Sequence, residues 1–435
     1  MSDWSVTDLQ KWDDKICRVA EDFGLDWFPI DYEIIDYAEM LGSMAYTGLP
    51  THYRHWSFGK EYERTHTLYN MGQTGLPYEM IINSNPSIAY LMRENALYIH
   101  ILTMSHCVGH SDFFKMNRMF HHTDPENIIT SFKSASKYVR QLIEDPSIGI
   151  DKVEEILDAA HAIKYQVPRY PGVAYRNQSE ILEAERKSME ANPNYKPNLS
   201  KIPLRPEYNL LRFIAEHSKQ LEEWQRNLIL IVEESSKYFI PQALTKIMNE
   251  GWACTIHQKI INELNLPDSL YLPFIKLHNQ VIRPHLGQIN PYHLGYTLFQ
   301  KLIADKGFEE AKLIREVHND ITFLRFYADE EFMREHNYFS YSFKKKEQSS
   351  IIDDISDNQG WESVRDAMLT NVGLNRIPVV YVDEIEKDNT LSLVHEHDGR
   401  DLELNYARRV FDHIQTLWGD SIKLVTIVED EIWEF

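Results

Sequence analysis

The sequence predicts a mainly α-helical protein in which a large helical domain, residues 1–343, is followed by a polar linker, 344–359, and a small α+β domain of order αββαβ, 360–435. Three observations predict it. Apolar residues recur at helical spacing through most of the first three quarters of the chain. Past the linker the pattern shifts to β-branched runs and strict alternation. The composition, 43% hydrophobic and 26% charged over 435 residues, is globular and long enough for two or three domains at roughly 150 residues each.

The first helix is predicted over 7–23, where Leu9, Trp12, Ile16, Val19 and Ala20 share a face and Gly24 stops it. Two more helices are predicted at 31–42 and 58–70, separated by an aromatic, His-rich loop, Thr51-His52-Tyr53-Arg54-His55-Trp56. A short β-like run spans 78–83, and a long helical pattern spans 88–114. Residues 165–206 change character, because Pro168, Pro171, Pro193, Pro197, Pro203 and Pro206 break helix and leave one helical stretch near 179–189. So long an irregular segment wraps the surface or covers a site. Helix resumes over 207–263, interrupted at Pro241, and 268–338 holds shorter helices separated by Pro284, Pro291 and Gly307. In the tail, 361–369 reads as helix and 377–383 as a strand, while Leu391, Leu393 and His395 alternate around Ser392. Asp401 is placed to cap a helix that runs to Trp418 and ends at Gly419, ahead of a third strand at 422–428.

Charge narrows the function classes. Lys+Arg 45 against Asp+Glu 66 gives a net charge of −21, which opposes binding to nucleic acid or anionic lipid, and the basic triplet Lys344-Lys345-Lys346 is isolated. Cys17, Cys107 and Cys254 are too few and too scattered for a disulfide framework and favour a reducing compartment. The N-terminus lacks a basic and apolar leader, and no stretch approaches the roughly 18 apolar residues of a membrane-spanning helix. A soluble cytoplasmic protein is the expectation. With no Gly-rich phosphate loop and no Gly-x-Ser-x-Gly elbow, nucleotide hydrolysis and serine-hydrolase chemistry are disfavoured.

His106-Cys107-Val108-Gly109-His110 places two imidazoles at i and i+4 of a predicted helix, on one face and within reach of one metal ion. In the metallopeptidase pattern His-Glu-x-x-His a Glu follows the first His and activates water; here that position is Cys107, so the general base is unassigned. A third ligand is available in Asn249-Glu250-Gly251-Trp252-Ala253, because gluzincin-type peptidases draw theirs from a later helix with a similar Asn-Glu-x-x-Ala signature. Gly251 costs a helix about 1 kcal/mol relative to Ala, and such a residue marks close helix packing or ligand approach. His257 shares a face with Glu250, but seven residues at 1.5 Å put it about 10 Å further along, so it is cast as a group behind the ligands, a proton donor or a substrate contact. Asp112 lies about 240° around the helix from His106 and is assigned to orienting a loop or capping. Cys254, four residues after Glu250, is either a soft ligand or simply buried. His52, His55, His121, His122, His395 and His397 lack a third partner in sequence and read as packing or polar loops.

Several longer motifs are shared with one family. His55-Trp56-Ser57-Phe58-Gly59-Lys60, Ile81-Ile82-Asn83-Ser84-Asn85-Pro86 and the run from His106 through His110 to Asp112-Phe113-Phe114-Lys115 resemble the stage V sporulation protein R family. Trp224-Gln225-Arg226, the run from Lys246 to Ala253, His257, Asn290-Pro291-Tyr292, Phe323-Leu324-Arg325, Tyr406-Ala407 and Leu417-Trp418-Gly419 continue the resemblance in order along the chain. Thr51-His52-Tyr53-Arg54 departs from the family's Pro-Thr-Arg pattern, so His52 is not carried over.

The resemblance implies a bacterial cytoplasmic protein needed for the spore cortex, a peptidoglycan layer. In bacteria that form no spores it implies a role in stress or stationary phase, with a PrkA-type serine protein kinase and a von Willebrand-like protein as partners. Two readings follow. One is a zinc-dependent hydrolase or amidase with gluzincin-like metal-site helices: zinc on His106, His110 and Glu250, His257 as the catalytic group stabilising an oxyanion, peptidoglycan peptides as substrate, and the base recruited from Glu233, Glu234 or Asp124. The other is a non-catalytic regulator whose metallopeptidase-like site is degenerate and whose C-terminal domain binds a protein partner.

Overall fold

The computed structural model describes residues 4–70, 79–173, 178–192, 194–285, 288–344 and 349–435. Tyr78 of the predicted first strand and Lys345 and Lys346 of the basic triplet lie outside them. Among the described residues the chain is mainly helical, with seventeen α-helices and nine strands. None of those helices is long and apolar enough to cross a membrane. Two compact units divide the chain: 1–52, 56–133 and 241–376 form one, and 53–55, 134–240 and 377–435 form the other.

The first unit is built around the helices Leu97–Met116 and Lys246–Glu263, which pack extensively on each other. Every residue from His100 to Phe114 is buried, so the first of these is a core helix with no solvent face. Gly109 permits the contact: a Cβ there would lie 2.7 Å from Ala253 Cα. On its other side, Lys246–Glu263 meets the helix Pro291–Lys306 glycine to glycine, where a Cβ on Gly251 would fall 2.2 Å from the carbonyl carbon of Gly295. Gly251 therefore marks close helix packing, one of the two roles expected of it.

A three-stranded sheet in this unit corrects two predicted helices. Ile30–Ile35 pairs in parallel with Ser87–Met92, which also pairs antiparallel with Glu79–Ile82. The predicted helix at 31–42 is thus a strand followed by Tyr37–Ala45, with Asp36 capping the helix and Glu39 closing the capping box. The pattern at 88–114 divides into the strand Ser87–Met92 and the helix Leu97–Met116. A short, mostly buried apolar run carries no period that separates strand from helix, and pairing on both edges decided it. At the other end of the unit, Ser349–Ile355 pairs with Phe339–Lys344, so much of the expected polar linker forms one arm of a hairpin. The helix Trp361–Leu369, expected to lead the C-terminal domain, instead buries Val364, Met368 and Leu369 against Asp320–Tyr327, Glu330–Glu335 and that hairpin.

The second unit carries the remaining strands and helix of the tail plus one strand more than αββαβ provides. Its sheet runs Val379–Ile385, Leu391–Glu396, Ile422–Val428, Glu431–Glu434, with the central pair parallel and the outer pairs antiparallel. The parallel pair needs a crossover, and Leu404–Trp418 supplies it while packing on Gly149–Ala162. Gly419 ends that helix at φ 83°, the left-handed cap expected of it. Its N-cap is Glu403, not Asp401, whose carboxylate instead accepts from the Glu429 backbone N–H and contacts His397. The Pro-rich segment lies along this sheet, with Ile202 accepting from the Ile385 N–H and Glu207 bridging Val382. Its helix runs Gln178–Ala191. Pro241 sits inside the helix Glu223–Leu244, and the break falls at Thr245.

Candidate metal centre

The structure brings His106, His110 and Glu250 together, with one ligand atom from each within 4.8 Å of the others. Glu250 Oε2 lies 3.4 Å from His110 Nε2 and 3.8 Å from His106 Nε2. Ligands of a tetrahedral zinc with bonds near 2.0 Å stand about 3.3 Å apart, so the spacing fits a small divalent ion. The site is almost closed to solvent: the side chains of His106, His110 and Glu250 are 3%, 8% and 16% exposed.

Both imidazoles are held from behind. His110 Nδ1 is 2.8 Å from Asn249 Oδ1, an acceptor, so Nδ1 carries a proton and Nε2 faces Glu250. His106 Nδ1 is 2.8 Å from His257 Nδ1, and His257 Nε2 is 2.8 Å from His278 Nδ1. Glu250 Oε2 is buried and makes no hydrogen bond of good geometry. Burial alone would raise its pKa, but the two flanking imidazoles hold it well below the usual carboxylate range. Burial and neighbouring imidazoles push His257 well below its ordinary value and bring His278 down to about 4, so both rings are neutral at pH 7.

Each residue of Asn249-Glu250-Gly251-Trp252-Ala253 has a distinct task. Asn249 orients His110, Glu250 points into the site, Gly251 admits Gly295, and Ala253 receives Gly109. Trp252 Nε1 donates to Asp112 Oδ2 at 2.7 Å and ties the two core helices together. Asp112 faces away from the imidazoles, as the helix geometry requires. It accepts from the Asp26 backbone N–H at 3.0 Å, which orients that loop, and its Oδ2 lies 3.5 Å from the buried Arg315 Nε.

Other expectations are redrawn. His257 is 1% exposed and both its ring nitrogens are engaged, so it stands behind His106 and not on a substrate-facing wall. Cys254 is fully buried and close to His106 and His257. The 2.8 Å between the facing nitrogens of those rings is a hydrogen-bond distance. None of the carboxylates considered as a base is idle. Glu233 and Glu234 belong to the second unit and pair with Arg212 and Lys237, while Asp124 accepts from Asn127. Cys107 is fully buried. His52 packs among Tyr46, Phe58 and Phe132, His55 pairs with Asp158 at 3.0 Å, and His121 and His122 are exposed. His395 contacts Thr426, and His397 contacts Asp401.

Two residues that complete the site carried weak sequence signals. His278 is an isolated His on the helix Asp268–Val281, and Gly295 is one Gly in a helical run.

A family model described as SpoVR like protein matches residues 3–377, and one described as SpoVR-like C-terminal domain matches 375–429. The chain belongs to the SpoVR family. Within reach of that assignment, the uncharacterized protein YcgB of Escherichia coli (strain K12) is 31% identical over 483 aligned positions, covering 98% of this chain and 93% of its own length. No solved structure matches the chain. The SpoVR match spans both core helices and every residue of the candidate centre.

Proposed function

We propose that this SpoVR-family protein is a zinc-dependent hydrolase of peptide or amide bonds, with the ion on His106, His110 and Glu250. One observation carries the reading: two imidazole Nε2 atoms converge on a buried carboxylate oxygen that makes no hydrogen bond. Two imidazole nitrogens this close to a carboxylate oxygen need a proton or a cation between them and it. Two histidines and one carboxylate are a common catalytic zinc set, and hydrogen bonds from behind each imidazole are what such ligands need. Bound there, zinc would polarise a scissile carbonyl and acidify water.

The chain's own residues hold that geometry. Asn249 and His257 fix the two imidazole planes, and Trp252 with Asp112 fixes the register of the helices that carry them. The family's association with the spore cortex supports peptidoglycan stem peptides as the substrate class. The kinase and von Willebrand-like partners and a cytoplasmic location belong to the same proposal. A second reading, a regulatory scaffold with a degenerate site, is favoured by Cys107 standing where the base belongs and by the engagement of Glu233, Glu234 and Asp124 elsewhere.

Metal content by plasma mass spectrometry tests the ion. Untagged protein purified without added metal is expected to carry near-stoichiometric zinc, and His106→Ala and Glu250→Gln to lose it. Zinc retained in both folded variants ends the hydrolase reading. Zinc lost in both, with no cleavage of muropeptides by the wild type, selects the scaffold.

A further inference from the structure

Beyond the three candidate ligands, the buried chain His106–His257–His278 has a direction that the site can set. Two nitrogen-to-nitrogen contacts of 2.8 Å join the three rings, and each holds one proton. The rings are 2%, 1% and 4% exposed. Phe274 and Tyr296 close around His278, with ring centroids 5.8 and 5.2 Å away, and His278 Nε2 is buried without a hydrogen-bond partner. Neutral rings in such a chain have two registers and no mixed one, because a neutral imidazole carries a single N–H.

In the first register His278 Nδ1–H donates to His257 Nε2, His257 Nδ1–H donates to His106 Nδ1, and His106 Nε2–H points at Glu250 Oε2. In the second, His106 Nδ1–H donates to His257 Nδ1, His257 Nε2–H donates to His278 Nδ1, and His278 carries its proton on Nε2. A cation on His106 Nε2 is compatible with the second register alone.

We propose that His278, acting through His257, sets the tautomer in which His106 faces Glu250, and that a cation at His106 Nε2 inverts the tautomers of all three rings together. The protons balance. The proton on His106 Nε2 leaves to water as the cation arrives, each shared proton crosses to the neighbouring ring on the His106 side, and one proton from water is taken up at His278 Nε2. The number of protons on the three rings is unchanged. His257 and His278 are positioning residues: they touch no substrate and act through the nitrogen that His106 offers. This inference rests on the metal reading above and assigns to His278 a role that the ligand set alone does not.

The test is nitrogen-15 NMR of histidine-labelled full-length protein, before and after one equivalent of zinc, with His257→Gln and His278→Gln giving the assignments. Inversion of the protonated nitrogen in all three rings is the expected result. Zinc uptake with His257 and His278 unchanged overturns the relay and leaves the metal site standing. Absence of zinc uptake by the wild type overturns both. Zinc affinity by chelator competition supplies the second readout. His278→Phe fills the space but accepts no hydrogen bond, and is expected to bind zinc on the order of 10- to 100-fold more weakly. His278→Gln, whose amide oxygen can accept from His257, is expected to recover most of the loss. A folded His278→Phe with wild-type affinity removes His278 from the positioning role.

Discussion

Glu233 and Glu250 are both glutamates of long helices with little or no solvent exposure, and the surroundings of each give it a different meaning. Glu233, in the second unit, is fully buried; its Oε1 accepts from Asn209 at 2.7 Å and from Arg212 Nε at 2.9 Å, and it pairs with Lys237 at 2.7 Å and Arg212 Nη2 at 2.8 Å. Its charge is offset by those two cations, although Oε2 itself makes no hydrogen bond of good geometry. Glu250, in the first unit, faces two imidazoles whose other nitrogens are tied to Asn249 and His257. Its charge faces imidazoles 3.8 and 3.4 Å away instead of a guanidinium or an ammonium group. Burial of a carboxylate is therefore no mark of a functional site; what balances the charge is.

Exchange of each glutamate for glutamine is the sharpest way to break this comparison. Glu250→Gln is expected to abolish stoichiometric zinc. Glu233→Gln is expected to leave zinc unchanged and to lower stability by about 1–2 kcal/mol in urea, because Arg212 and Lys237 are partly exposed and can rehydrate. Loss of zinc in the Glu233 variant would erase the distinction.

The largest stability effect is expected at Asp112, whose removal leaves Arg315 buried without its carboxylate. Asp112→Asn should cost about 3–5 kcal/mol and displace Trp252, visible as a change in tryptophan fluorescence. A loss under about 1 kcal/mol would show that the link between the core helices does not depend on that charge.

A further effect is a pH dependence at the start of the Glu250 helix. Asp320 accepts from the backbone N–H groups of Ile247 and Met248 at 2.9 Å each, and burial pushes its pKa from the ordinary 3.8 up to about 7. A carboxyl raised in the folded state favours folding while protonated, so its contribution is full below pH 3.8 and is lost as the pH rises through about 7. The urea midpoint should fall between pH 5 and pH 8, and Asp320→Asn should flatten that fall. An equal slope in the variant would show that Asp320 is ionised throughout.

Much of this was legible in one dimension because it depends on local spacing. The separation of His106 and His110 by one helical turn, the outward turn of Asp112, the close packing at Gly251 and the cap at Gly419 all follow from helix geometry within a few residues. The sheet of the first unit was not legible. Ile30–Ile35 and Ser87–Met92 become strands because each finds the other across more than fifty residues; the second is an apolar run that suits either state, and the first alternates only over Ile30, Tyr32 and Ile34. The hairpin of Phe339–Lys344 and Ser349–Ile355 was hidden in the same way, since polar composition does not forbid an exposed pair of strands.

By itself the sequence determined a helical protein with two histidines and a glutamate fit to share one ion, because side-chain chemistry and helical period are local properties. Only the tertiary structure decided that Asn249 and His257 stand behind those histidines, that His278 ends the chain of rings, and that Glu233 faces Arg212 and Lys237 while Glu250 faces two imidazoles. Those outcomes depend on which helices touch. Gly109 against Ala253 and Gly251 against Gly295 set that contact, at distances no other side chain would permit.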